Sequence, residues 1–225
     1  MDQLVKATAA DGQLRVFAAV TTDVVAEAMR RHDCWPVAAA ALGRTMTGAL
    51  LFAANLKNKE SVTIKFKGDG PLGTVTADAT AEGSVRGCVD HPHVHLPLNA
   101  HGKIDVGGGI GQGILSVTRF TGLKEPVTGS VNIVSGEIAD DLIHYLYTSE
   151  QTPSSIGLSV LVSPALQCLG AGGFFVQPLP GASDAVIDRL EENLKGISSV
   201  SHMVESGLDA EGIIRSVLGG FDDVK

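Results

Sequence analysis

The chain has 225 residues, of which 44% are hydrophobic and 19% charged, with 17 Lys and Arg against 25 acids and a formal net charge of -8. A chain of this length buries a sizeable core, as one domain or as one large domain with a small appendage, and this composition excludes disorder across the whole of it. The basic residues form no dense run, so no nucleic-acid partner is expected.

The longest apolar stretch, Trp35 to Leu56, is broken by Arg44, threonines and glycines, so no membrane span is expected. Met1–Lys6 lacks the basic region and apolar core of a signal peptide. The three cysteines, Cys34, Cys88 and Cys168, are far apart and odd in number. That argues against a disulfide framework and points to a reducing compartment, the cytoplasm.

Leu14–Val20 is apolar apart from Arg15 and predicts a strand. Thr22 is placed to cap a helix running through Arg31, with Asp23 in its first turn. Pro36 suits a first helical position, and the Ala- and Leu-rich run after it predicts a long buried helix to about Leu56. The period then changes to two. Val62, Ile64 and Phe66 alternate with Thr63, Lys65 and Lys67; Val75, Ala77 and Ala79 follow a turn over Gly68–Gly73; Val85, Gly87 and Val89 follow a turn over Ala81–Gly83. Three strands joined by short turns predict an antiparallel meander.

Leu115–Phe120 and Val127–Val134 add strands, and Glu137–Thr148 predicts a helix with Ile138, Leu142 and Tyr145 on one face. Strands follow from Ile156 to Val162 and over Gly173–Leu179. Ser183–Leu194 predicts an amphipathic helix carrying Ile187, Leu190 and Leu194, with Gly196 just past its end. Asp209 caps a last helix carrying Ile213, Ile214 and Val217, stopped by Gly219 and Gly220. The class is α+β: an antiparallel β-sheet meander core with segregated packing helices and a helical C-terminal segment.

Signs of catalytic chemistry are thin. Gly107–Gly113 is rich in glycine, but Gln112 or Ile114 falls where a dinucleotide fingerprint needs its last glycine, and no Gly-Lys-Ser/Thr follows. A flexible loop leading into a strand is expected. His91, His93 and His95 stand two apart and would share one face of an extended strand, which suits a metal; Pro92 and Pro97 favour an irregular, exposed segment. No Gly-x-Ser-x-Gly elbow occurs, and no triad is proposed. Cys34, Cys88 and Cys168 are each expected to be buried small hydrophobes. The acid pairs Asp140–Asp141 and Glu191–Glu192 are expected on solvated helix faces, because adjacent helical positions do not face one another. No catalytic, cofactor or metal residue is assigned, and client-contacting residues are not derivable from the sequence.

Five blocks in order carry a resemblance: Asp2–Ala7; Lys67–Gly73; Val85–Val89; Ser149–Ser154; and Ala171–Gln177 with Pro180 and Gly181. Together they resemble the redox-regulated thirty-three-kilodalton chaperonin family of heat-shock proteins, across essentially the whole chain. At Cys88 that family more often has an aromatic residue. The resemblance implies an ATP-independent holdase whose partners are unfolded or misfolded client proteins. It implies a zinc ion held by four cysteines of a C-terminal domain, arranged Cys-x-Cys and Cys-x-x-Cys. Oxidation there forms two disulfides, frees the zinc and unfolds the preceding linker. It implies dimerisation on activation; a homodimer is expected here too, because a patch or edge left uncovered favours self-association or domain exchange.

No such cysteine pairs occur between residues 1 and 225. The expectation is therefore an α+β chaperone body over 1–180 and a helical segment leading toward a linker over 181–225, with the zinc domain absent and no cofactor in this chain. The competing reading is a small-molecule enzyme or metal-binding protein using Gly107–Gly113 or His91, His93 and His95. It predicts a pocket lined by those histidines. A third reading, a purely structural oligomer subunit, predicts a large apolar interface.

Overall fold

A computed structural model describes residues 1–57, 59–122 and 124–225. Its frame is two antiparallel sheets with one buried helix between them. The strands are β1 (Gln3–Ala9), β2 (Leu14–Val20), β3 (Ser61–Gly68), β4 (Thr74–Thr80), β5 (Val85–Val89), β6 (Gly113–Phe120), β7 (Val127–Asn132), β8 (Ser155–Val162) and β9 (Cys168–Pro178). The helices are α1 (Thr22–His32), α2 (Pro36–Ala53), α3 (Val106–Ile110), α4 (Ala139–Thr148), α5 (Asp184–Lys195), α6 (Val200–Glu205) and α7 (Ala210–Val217). Four strands make one sheet, in the order β1-β2-β9-β8, and five make the other, β5-β4-β3-β6-β7. The α+β class and the β3–β4–β5 meander hold, and the meander is one part of the larger sheet.

Helix α2 explains why the sheets can stack. Its run of alanines buries little volume per residue, so both sheets approach it closely, and it is buried from Val37 to Gly43 and from Thr45 to Ala53. Among the described residues it is the one helix long and apolar enough to cross a membrane, yet 89% of it is packed inside the fold. Its hydroxyls are satisfied locally: Thr45 donates to the Ala41 carbonyl at 2.7 Å and Thr47 to that of Gly43 at 2.9 Å. Arg44, its sole charge, reaches Glu137 at 2.8 Å. The helix ends at Ala53, three residues before the expected Leu56.

On the five-stranded sheet the alternation works as predicted. Val62, Ile64, Phe66, Val75, Ala77, Ala79, Leu115 and Val117 face α2 and are buried. The opposite face carries hydroxyls, paired across strands at 2.9 Å between Ser116 and Ser130 and between Thr118 and Thr128.

Two local expectations are corrected. The cap of α1 is not Thr22, which is already helical and accepts instead from the Ala171 amide at 3.1 Å. Asp2 does the capping from the start of the neighbouring strand β1, its carboxylate accepting from the Asp23 and Val24 amides at 2.9 and 2.8 Å. The glycine run is not a flexible loop. Val106–Ile110 is the helix α3, capped by Asp105, which accepts from the Gly108 amide at 2.9 Å. Glycine is required there by close approach: a Cβ on Gly109 would lie 2.7 Å from Val37, and one on Gly68, in the facing strand, 1.8 Å from the Ile110 carbonyl oxygen.

Candidate functional site

The four-stranded sheet is apolar on both faces. Phe17, Ala19, Ala171 and Phe175 face α2, while Leu14, Val16, Ala18, Phe174 and Val176 face the other way. That second face is covered by α5, α6 and α7, which bring Leu190, Val200, Ala210, Ile213, Ile214, Val217 and Leu218. The covering helices have 12, 6 and 8 residues. Helices so short are not stable alone in water, so their order depends on this docking. The Asp209 cap is seen, accepting from Gly212 at 2.8 Å. In α5 only Leu190 is buried; Ile187 and Leu194 are half-buried.

Polar contacts also pin the cover: the Ser159 hydroxyl of β8 meets those of Ser199 and Ser201 at 3.1 and 2.6 Å. The Ala210 amide donates to the Gln3 side chain at 3.1 Å, and the Ser183 amide to that of Gln13 at 2.8 Å. The last residues form a strap along β1. Thr8 and Lys225 exchange two backbone hydrogen bonds at 2.9 Å each, and the Asp223 carboxylate accepts from the Ala10 and Asp11 amides. Those amides hold the Asp223 carboxyl below the usual carboxylate range.

The three cysteines stand apart. Cys34 is buried between α1 and α2, Cys168 is half-buried at the start of β9, and Cys88 is exposed on β5, so the buried small hydrophobe expected at Cys88 is corrected. Cys88 lies on the hydroxyl-bearing face of its sheet, in register with Thr76. Burial pushes the Cys34 and Cys168 thiols up to about 11. The four-cysteine zinc implied by the resemblance does not fit these residues: the thiols are dispersed and two are held protonated, and no three of His, Cys, Asp and Glu converge among the described residues.

His91, His93 and His95 are exposed in an irregular segment, as the prolines suggested. Among the described residues only His93 of the three has a side-chain partner, Asp33 at 2.8 Å, and its ring lies 5.5 Å from that of Trp35. Of the acid pairs, Glu191 and Glu192 are exposed, but Asp141 is fully buried and accepts from the amides of Val134, Ser135 and Gly136. The expected solvated face is corrected there: the side chain closes the turn before α4.

Grooves open beside the sheets among the described residues. One, of about 440 Å³, is lined by Ser61, Asp78, Arg86 and Phe120 among others. The second, of about 380 Å³, lies beside β1 and is lined by Leu4, Val24, Leu50 and Val85 among others. Neither includes His91, His93, His95 or any residue of Gly107–Gly113.

An apolar sheet face lies here under a cover of short helices, and the relatives that share this architecture are named as chaperonins. The crystal structure of the 33 kDa chaperonin of Thermotoga maritima matches with a TM-score of 0.91 and 38% identity, over 98% of this chain and 76% of that one. The 33 kDa chaperonin of Bacillus pumilus is 52% identical over 220 residues, 97% of this chain and 76% of the relative, and that of Desulforamulus reducens is 50% identical over 221 residues, 98% and 75%. The family model described as Hsp33 protein matches residues 2–225, and the chain belongs to the Hsp33 family.

Proposed function

We propose that this chain works as a holdase without ATP in the cytoplasm, binding unfolding proteins, and that it is not an enzyme. The observation that carries the reading is the apolar face of the four-stranded sheet, covered only by α5, α6 and α7. Release of that cover would offer Val16, Ala18, Phe174 and Val176 to apolar segments of a client. The body over 1–180 then presents the surface and 181–225 acts as its cover. The net charge of -8 supports solubility while the surface is open.

Redox control in this family is implied to rest on a four-cysteine zinc domain, and residues 1–225 supply no such site. Cys34 and Cys168, held protonated, are poor oxidant targets. The active unit is a homodimer in this proposal, formed by self-association or domain exchange.

The test is light scattering from a thermally unfolding client mixed with the 225-residue chain, without ATP, in reducing and in oxidising buffer. Equal suppression of aggregation in both, by a species of twice 23.3 kDa, is the expected result. Absence of suppression in either buffer refutes the holdase, and a monomeric mass at high concentration refutes the dimer.

A further inference from the structure

The chain contains two Asp-Gly pairs, Asp11–Gly12 and Asp69–Gly70. At such a pair the backbone nitrogen after the aspartate is least shielded, because glycine places no Cβ beside it. Both aspartates are exposed, so solvent access does not separate them. Backbone bonding does. The Gly70 N–H donates to the Ile110 carbonyl at 2.9 Å, and the Asp69 carboxylate accepts from the Gln112 amide at 2.7 Å. A Cβ on Gly70 would overlap the Gly109 carbonyl oxygen, so that turn is packed against α3. Asp11–Gly12 is the tip of the β1–β2 hairpin. The Gly12 N–H has no partner among the described residues, and a Cβ placed there would meet nothing within 4 Å. Ala10, Asp11 and Gly12 stand at φ of 54°, 51° and 82°, a left-handed run that Ala and Asp hold at a cost. The same tip supplies the Ala10 and Asp11 amides that hold Asp223.

We propose that Asp11 is a site of spontaneous conversion to isoaspartate, and that the conversion loosens the strap over Phe221–Lys225. The Gly12 nitrogen bonds to the side-chain carboxyl carbon of Asp11 and closes a five-membered succinimide ring. One carboxyl oxygen departs as water, taking the amide proton and a proton from solvent. Water then opens the ring at either carbonyl. Opening at the backbone carbonyl leaves the main chain of Asp11 running through Cβ and the former side-chain carbonyl, with the former backbone carbonyl now a free carboxylate. No oxidant or cofactor enters, and the mass is unchanged. The main chain gains one methylene at the turn, and the new carboxylate is attached to the Cα that carries the Asp11 N–H. A negative group is thus brought beside Asp223, and an amide that held it moves. At the second pair the nucleophile is engaged with Ile110 and the carboxyl with Gln112, so ring closure there awaits opening of the turn.

Incubation of the chain in warm neutral buffer, followed by peptide mass spectrometry with separation of isomers, tests the site. Isoaspartate methyltransferase with S-adenosylmethionine marks the new carboxylate. In the native protein isoaspartate should form at residue 11 faster than at residue 69 by about tenfold or more, and in denaturant the two rates should converge. The Thr8 and Ala10 amides should exchange faster in the aged protein, in proportion to the isoaspartate at residue 11. Asp11→Ser removes the carboxyl that is attacked, and should keep Thr8 as protected after incubation as before it. Equal native rates at the two pairs, or no isoaspartate at residue 11 where the denatured chain forms it, overturn the site. Isoaspartate at residue 11 with Thr8 exchange unchanged, or equal loss of Thr8 protection in aged Asp11→Ser, overturns the link to the strap.

Discussion

Cys34 and Cys168 are thiols that the fold keeps from reacting. Loss of water on burial is the main cause at both, and the negative charges of Asp33 at the first and of Asp2 and Asp23 at the second act in the same direction. With values of about 11, roughly one thiol in a thousand is ionised at pH 8, and the thiolate is the nucleophile. Cys88 is exposed and suffers no such restraint of access. Iodoacetamide at pH 8 should therefore label native Cys88 first, with Cys34 and Cys168 slower by at least about tenfold until denaturant is added. Peptide mass spectrometry reads the order, and labelling of Cys34 as fast as Cys88 in the native protein would contradict the burial argument. Nothing in the local sequence separates these three thiols. Their difference comes from which sheet face or helix junction each one meets, which is a tertiary fact.

At the scale of elements, the strap over Phe221–Lys225 is the most testable piece. Asp223 is its anchor, through the Ala10 and Asp11 amides. A carboxyl held below its ordinary value stabilises the fold above the unfolded value of about 3.9, and that contribution is lost as pH falls through the folded value. The strap should thus stay closed at neutral pH and open only below the ordinary aspartate range. Asp223→Ala should open it at pH 7, seen as faster exchange of the Ala10, Asp11 and Thr8 amides. If Thr8 stays as protected in Asp223→Ala as in the parent, Lys225 is held by something other than this carboxylate.

The same scale shows what the sequence could reveal. Strands β3, β4 and β5 were legible because one wet face and one buried face write a period of two into the residues. The helix α2 was legible from Pro36 and its apolar run, and α7 from Asp209. Periodicity alone gave Gln3–Ala9 no element. The strand is an edge, where Lys6 and Thr8 are exposed and only Ala7 and Ala9 are buried. The short α3 was hidden because glycine disfavours helix; it forms because Asp105 caps it and because Gly68 and Gly109 let backbone meet backbone. Asp2 as the cap of α1 was out of reach for a local pattern, being 21 residues from Asp23. Of the candidate site, the apolar stripes of α5 and α7 were legible, but not that they close over the outer face of a sheet.

Over the whole molecule, two cores share one sheet. The larger surrounds α2 between the sheets; the smaller lies under α5, α6 and α7, and successive residues of β2 and β9 point alternately into each. Such a layout allows the outer core to open while the inner one stays closed, because the strands remain paired and packed on α2. Trp35, the single tryptophan, is the half-exposed N-cap of α2 beside His93, so its fluorescence follows the seating of the end of the inner-core helix, far in sequence from the cover. Ile213→Ala removes a fully buried side chain from α7 and should weaken docking of the cover by about 2–5 kcal/mol. In a urea titration the substitution should bring on dye binding to exposed apolar surface and cleavage within 181–225 at lower denaturant, and leave the Trp35 fluorescence transition where it is in the parent. Ile64→Ala, in the inner core, should instead move the Trp35 transition to lower denaturant. If Ile213→Ala shifts the Trp35 transition together with the dye signal, the two cores unfold as one unit and the helices cannot be a separately releasable cover.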